Sequence, residues 1–174
     1  MAFRSRTKGR RAPRKRAIWC NVPFGGVAFT ESVGSQLLLT AEDWEAQFTG
    51  LAQESAVLRA VVGTIVIQQT VVGTAGTTGF WCIYVTDKDA TVPPVFTVAG
   101  LSDVDILRVG AFGISTSVTG SLSAAESAAT QIEIKAKRRI KSRDSVRIAA
   151  QYGADAASPA GVIGGMLRFL VARD

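Results

Sequence analysis

Beyond residue 17 the chain is a succession of apolar runs that alternate with a period of two and are broken by glycine, proline and small polar clusters. The clearest run covers residues 130–141. Ile132, Ile134, Ala136 and Ile140 fall on one face, and Glu133, Lys135, Lys137, Arg139 and Lys141 fall on the other. Period two predicts a strand with one wet face. After a turn through Ser142 to Asp144, Val146, Ile148, Ala150 and Tyr152 continue the alternation, which predicts a hairpin partner with Arg147 on the charged side. Arg138 has the apolar parity, so it is expected at a sheet edge or paired with an acid.

The remaining runs are less regular. Residues 18–29 read as a first strand interrupted by Gly25 and Gly26, with Pro23 marking an edge or a bend. A short strand is expected at 36–40. Residues 55–72 carry β-branched side chains on both parities and predict a long strand covered, at least in part, on both sides. Gly73, Gly76 and Gly79 then lead into Phe80 to Thr86, which reads as a hairpin between two long partners. Further strands are expected at 106–118 and 162–171, with a brief one around Phe96 and a loop or weak helix at 120–129. One helix is predicted: Thr40 is placed to cap it, Glu42 and Asp43 crowd its first turn, and Trp44, Phe48 and Leu51 share a face. About eight strands without interleaved long helices exclude a parallel α/β sheet. They suit an all-β, eight-stranded antiparallel jelly-roll sandwich with one short helix.

Charge divides the chain further. Arg4, Arg6, Lys8, Arg10, Arg11, Arg14, Lys15 and Arg16 place eight cations and no acid in the first 16 residues. Such a run repels itself and has no apolar face, so residues 1–17 are expected to be a disordered basic arm and residues 18–174 the folded domain. Residues 17–134 hold 3 basic and 11 acidic side chains, whereas 135–147 hold 7 basic and one acidic. Positive charge concentrated in two places of an otherwise acidic body points to a polyphosphate partner, since each cation that meets a phosphate releases counterions. Lys135, Lys137, Arg139, Lys141, Arg143 and Arg147 are accordingly candidate second contacts beside the arm. An Arg-rich, acid-free start also fits an organelle-targeting leader.

Catalytic chemistry has little to build on. Histidine is absent, which removes the commonest general base and zinc ligand. Cys20 and Cys82 lie far apart with no metal spacing and read as buried free thiols of a protein made in a reducing compartment. The glycine loop lacks the Lys-Ser/Thr and following helix of a phosphate-binding loop. Asp87, Asp89, Asp103 and Asp105 are candidate calcium ligands without a recognisable ion-binding spacing, and solvated loop acids are the plainer reading. No apolar run is long enough to span a membrane. Neither an enzyme nor a cofactor is expected.

A basic arm, a compact eight-strand body and a strand-final carboxyl end resemble the single-jelly-roll capsid proteins of small circular single-stranded DNA viruses that encode a replication protein. The strand Leu58-Arg-Ala-Val-Val-Gly-Thr-Ile65 and the segment Lys137-Arg-Arg-Ile-Lys-Ser-Arg-Asp-Ser-Val146 are similar to segments of such coats. The resemblance implies a self-assembling icosahedral shell, an arm directed onto genomic nucleic acid, single-stranded DNA as that genome, and a place in the virion after assembly in the host cytoplasm or nucleus. A hydrophobic fraction of 47% agrees with a body that also buries surface against its own copies. The rival from another class is a monomeric basic nucleic-acid-binding β-barrel, ribosomal or OB-like. Such modules set aromatics beside their cations, whereas Trp44, Phe80, Trp81 and Phe112 lie in neutral or acidic segments here.

Overall fold

The computed structural model describes residues 17–45, 48, 55–70, 77–90, 93–94, 96–97, 101, 104–114, 127–153 and 160–173. Eight strands and one short helix occur in the order β1 (Ala17–Phe29), β2 (Gly34–Leu39), α1 (Ala41–Glu45), β3 (Ser55–Gln69), β4 (Thr77–Asp87), β5 (Asp105–Ile114), β6 (Ser127–Lys141), β7 (Asp144–Tyr152) and β8 (Gly161–Arg173). They form two four-stranded sheets, β1-β8-β3-β6 and β2-β7-β4-β5, with every pair antiparallel. The pairing is nested. The first strand meets the last, the second the seventh, the third the sixth and the fourth the fifth. A long eight-strand hairpin rolled on itself has this connectivity, which is the jelly roll expected from the alternation.

The nesting overturns two local expectations. β3 and β4 belong to different sheets, so the glycine-rich stretch does not close a hairpin; residues 73–76 lie outside those described. β6 and β7 are also in different sheets, and Ser142 and Arg143 turn a corner from one layer to the other. Both errors have one cause. Alternation reports which side of a strand is buried, and two strands facing a common core from opposite layers look alike in sequence to two paired neighbours. No strand forms at Phe96, whose ring instead stacks on Phe80 with centroids 6.4 Å apart. β6 begins at Ser127, inside the segment expected to be loop or weak helix.

The core lies between the inner faces. Leu58, Val61, Ile65 and Ile67 of β3 and Ile163, Leu167, Phe169 and Val171 of β8 oppose Trp81 and Ile83 of β4 and Val146 and Ile148 of β7, all buried. Phe29, Phe112 and Tyr152 close one end, each ring within 4.8–5.8 Å of the other two. Trp44 and Phe48 close the other, edge to face at 6.4 Å. Thr40 stands at the cap position: its backbone N–H and hydroxyl both donate to Asp43 Oδ2, at 2.7 and 3.0 Å. The helix itself is one turn, and Leu51 lies outside the described residues.

The outer faces differ. On the second sheet, Cys82, Tyr84 and Ala149 are buried beneath Val33 and beneath Phe96, Leu101 and Val104, the last three from between β4 and β5. On the first sheet, Trp19, Val66 and Met166 are exposed. The outward side of β3 is accordingly half-buried to exposed, so its second side is covered only in part, as the sequence implied.

Where β3 and β8 run side by side, Gly63 and Gly165 both have φ of 152°, flanking the paired Thr64 and Met166. A Cβ on Gly63 would overlap the Met166 carbonyl oxygen, and one on Gly165 the Thr64 carbonyl oxygen. Gly165→Ala is therefore expected to destabilise the protein in urea by about 2 kcal/mol or more. Gly113→Ala on β5, where a Cβ meets nothing, should change stability by less than about 0.5 kcal/mol.

Candidate nucleic-acid interface

β6 is an edge strand of the first sheet, and its inward side chains Ile132, Ile134 and Ile140 anchor it to the core. Anchoring fixes the opposite parity outward. Lys135, Lys137, Arg139 and Lys141 are all exposed on the outer face, a row about 20 Å long at the rise of an extended strand. Such a row also protects the edge against pairing with another strand. Arg138 behaves as its parity predicts: at the sheet edge, its guanidinium pairs with the Asp105 carboxylate at the start of β5, tying the edge of one sheet to the edge of the other.

Arg59 joins this group. Between Leu58 and Ala60, β3 carries one residue more than β8, while β6 carries one more than β3, and the β3 bulge re-aims its extra side chain. Arg59 is exposed there. At the end of β6, Ser55, Arg139, Lys141, Ser142 and Arg143 line a shallow open cleft. Asp144 holds the corner by accepting from the Lys141 N–H at 2.8 Å, and the Arg143 carbonyl accepts from the Lys88 N–H at 2.8 Å.

The structure separates Arg147 from this surface. It lies on β7 in the other sheet, half-buried, donating to the Lys88 carbonyl at 3.2 Å and to Ser145 Oγ at 3.4 Å. The expectation that it shares the β6 face failed with the hairpin that placed it there. Its contacts tie the β4–β5 connection to the second sheet.

The eight arm cations at positions 4–16 lie outside the described residues, but the point where the arm meets the domain is defined. Ala17 pairs with Ala172, Ala172 with Val57, and Val57 with Arg139. These four residues form one row across the first sheet, so the arm joins it about three strand spacings, roughly 14 Å, from Arg139.

Trp19 is two residues further on, 39% exposed, and the Arg168 guanidinium lies over its ring at 4.9 Å from the centroid. Arg168 Nε also donates to Asn21 Oδ1 at 3.1 Å. This corrects the expectation that aromatics stand apart from cations. Trp44, Trp81 and Phe112 are indeed buried, but Trp19 shares an outer face with the β6 row. A signal was present, because Asn21 and Pro23 have the parity of Trp19 whereas Cys20, Val22 and Phe24 have the other. Arg59 was likewise visible as a lone charge in an apolar strand.

Asp105 is committed to Arg138, Asp87 Oδ1 accepts from the Asp89 N–H at 3.0 Å, and Asp103 lies outside the described residues. Among the described residues no group of three or more Cys, Asp or Glu could hold a metal ion. Both cysteines are free and buried. Burial, with the Asp43 charge adding to it, pushes the Cys20 thiol up to about 11, and burial pushes Cys82 up to about 12 against an opposing backbone hydrogen bond from Ala149.

No family model matches the chain, and no curated protein sequence matches it. Among solved structures it is similar to that of Desmodium yellow mottle tymovirus, with 14% identity over 99% of this chain and 97% of that one and a TM-score of 0.36. It is also similar to Cocksfoot mottle virus, with 12% identity over 100% and 90% and a TM-score of 0.37. Eiger TNF from S. frugiperda is similar at 12% identity over 87% and 91%, with a TM-score of 0.35.

The thiol environments set a chemical expectation. At pH 8 the native protein should release no chromophore from a disulfide reagent within minutes, and both thiols should react in guanidinium. Because the folded values lie above the unfolded one near 9, the thiols add stability below about pH 9 that is lost as pH rises toward 11 and 12. Stability measured in urea should therefore fall above pH 9, and removing one of the two thiols by Cys82→Ala should reduce that fall.

Proposed function

We propose that this chain is the shell subunit of a small icosahedral virus, with a body that assembles with its own copies and an arm, residues 1–17, that gathers the genome. The observation that carries the reading is the row joining Ala17 to Arg139: the residue that follows the run of eight cations lies in register, across the first sheet, with the exposed β6 cations. A polycation supplies attraction for phosphate without a fold, and a strand-borne row continues it on a rigid surface. The jelly roll is one of the architectures that build viral shells, and it hosts lectins and cupins as well. A histidine-free chain with an acid-free polycationic arm suits neither of those as well as it suits a coat.

Self-association has surfaces to use. Phe80, Val109 and Leu37 of the second sheet are 43–47% exposed, and Met166 and Val66 are exposed on the first, at the end of that face away from the row of Trp19 and Lys135. Apolar side chains presented on two opposite faces suit a heterologous contact, in which one copy's surface meets a different surface of the next, and such contacts close into rings and shells. The subunit is not an enzyme in this reading. Its genome is single-stranded DNA on the strength of the resemblance carried by residues 58–65 and 137–146.

Electron microscopy of the expressed full chain should show closed particles that contain nucleic acid. A chain lacking residues 1–16 should fold and assemble but lose the nucleic acid. With unassembled protein, the affinity for single-stranded DNA should fall with salt at a log–log slope of about −6 from the arm alone, plus about −0.7 for each β6 cation engaged. A stable monomer at high concentration, or nucleic acid retained in full by the truncated chain, contradicts the proposal.

A further inference from the structure

The exposed Trp19–Arg168 pair stands at one margin of the first sheet's outer face, and the β6 cations stand at the other. The register fixes their relation. Trp19 pairs with Leu170, Leu170 with Ala60, and Ala60 with Lys135, so the indole and the Lys135 ammonium belong to one row about 14 Å across. Between them the floor is low, because Leu170, Ala60 and Val57 are half-buried and two of the three are small. Arg59 rises from the bulge beside this floor. One acid, Glu133, shares the outward row of β6, in register with Val62 and Arg168.

A duplex presents phosphate on its outside and keeps its base faces stacked internally, so an exposed indole would have nothing to meet there. A single strand presents both phosphate and base faces. We infer that this face binds single-stranded nucleic acid in an extended form, with phosphates along Lys135, Lys137, Arg139 and Lys141 and a base stacked on Trp19 within reach of the Arg168 guanidinium. The inference rests on the proposed packaging role and deepens it, because the arm alone would take any polyanion whereas this face selects unpaired bases. Three features favour it over a contact with a second copy. Among the described residues the face carries six cations against one acid, its cations repeat at the two-residue spacing of a strand, close to the reach of one extended nucleotide, and its aromatic already has a guanidinium over it. Aromatic platforms beside cations are the usual means of holding single strands without reading sequence, each stacked base contributing about 1–3 kcal/mol by alanine substitution. A planar cation over the ring strengthens such a site.

Tryptophan fluorescence tests this directly, since Trp44 and Trp81 are 1% and 2% exposed and Trp19 is the tryptophan open to a ligand. Full-length protein, stripped of nucleic acid at high salt, is titrated with oligo(dT), with a duplex of the same length and with inorganic polyphosphate. Oligo(dT) should quench the exposed component, and polyphosphate should bind without quenching. Trp19→Leu should lose the quench and about tenfold in affinity for oligo(dT), with polyphosphate affinity unchanged; Trp19→Phe should recover most of that affinity. The unaltered emission of the two buried tryptophans reports that the variants are folded. Equal affinity for oligo(dT) and polyphosphate, with no quench, would overturn the stacking site and leave the packaging role of the arm intact. A Trp19 signal that follows protein concentration instead of oligonucleotide would identify the face as a contact between copies and overturn it as well. Failure to bind any of the three polyanions would overturn the packaging reading itself.

Discussion

The antiparallel ladder that holds β8 between β1 and β3 is the constraint on which the rest depends. Its hydrogen bonds join the first strand, the last strand and the long third strand into one sheet. The domain therefore cannot close until the whole chain is present, and such non-local pairing is slow to form. The same ladder decides where the amino-terminal arm enters. Because Ala17 pairs with Ala172, and Ala172 is in register with Val57 and Arg139, the start of β1 shares a row of the first sheet with the distant β6 cations. The reciprocal glycines Gly63 and Gly165 belong to this ladder too, and any side chain there would push β3 and β8 apart.

The second consequence is that the two outer faces of the sandwich acquire different chemistry. Phe96, Leu101 and Val104, from between β4 and β5, cover part of the second sheet, where Arg147 is drawn into holding Lys88. Asp87, Asp89 and Asp144 cluster at the end of that sheet, and Glu42 and Asp43 lie on α1. The first sheet keeps an open face with Trp19, Arg168, Arg59 and the β6 cations. The basic row and the exposed indole thus stand on the outer face of one sheet, and the other sheet carries charges of both signs, Asp87, Asp89 and Asp144 beside Lys88, Arg108 and Arg147. The Arg138–Asp105 pair at the shared edge is where the two kinds of surface meet.

Much of this was legible in the sequence, and the remainder was not for reasons that can be named. Alternation in β6 and β7 gave each strand and its buried parity, and Arg138 was placed correctly because a cation of apolar parity has few tolerable positions. Strand partners were not legible. Residues 73–79 and 142–144 look like hairpin turns, and only the two-layer pairing shows that each leads to the other sheet. Arg147 moved to the wrong face of the argument for that reason alone. Trp19 was hidden by its neighbours, because a tryptophan in an apolar run reads as core unless the parity of Asn21 and Pro23 is followed back to it. The two thiols were read correctly as buried and free, which needed only their apolar surroundings.

The central claim is directional: nucleic acid lies against the arm and the open face of the first sheet. Ultraviolet cross-linking of the full chain to its co-purified nucleic acid, followed by mapping of the linked peptides, tests it most directly. The account predicts links within residues 4–16, at residues 17–23 and at residues 135–143. Links concentrated at residues 30–33, 152–153 and 160–161, at the opposite end of the sandwich, or at residues 80–86 and 107–111 on the second sheet, would contradict it.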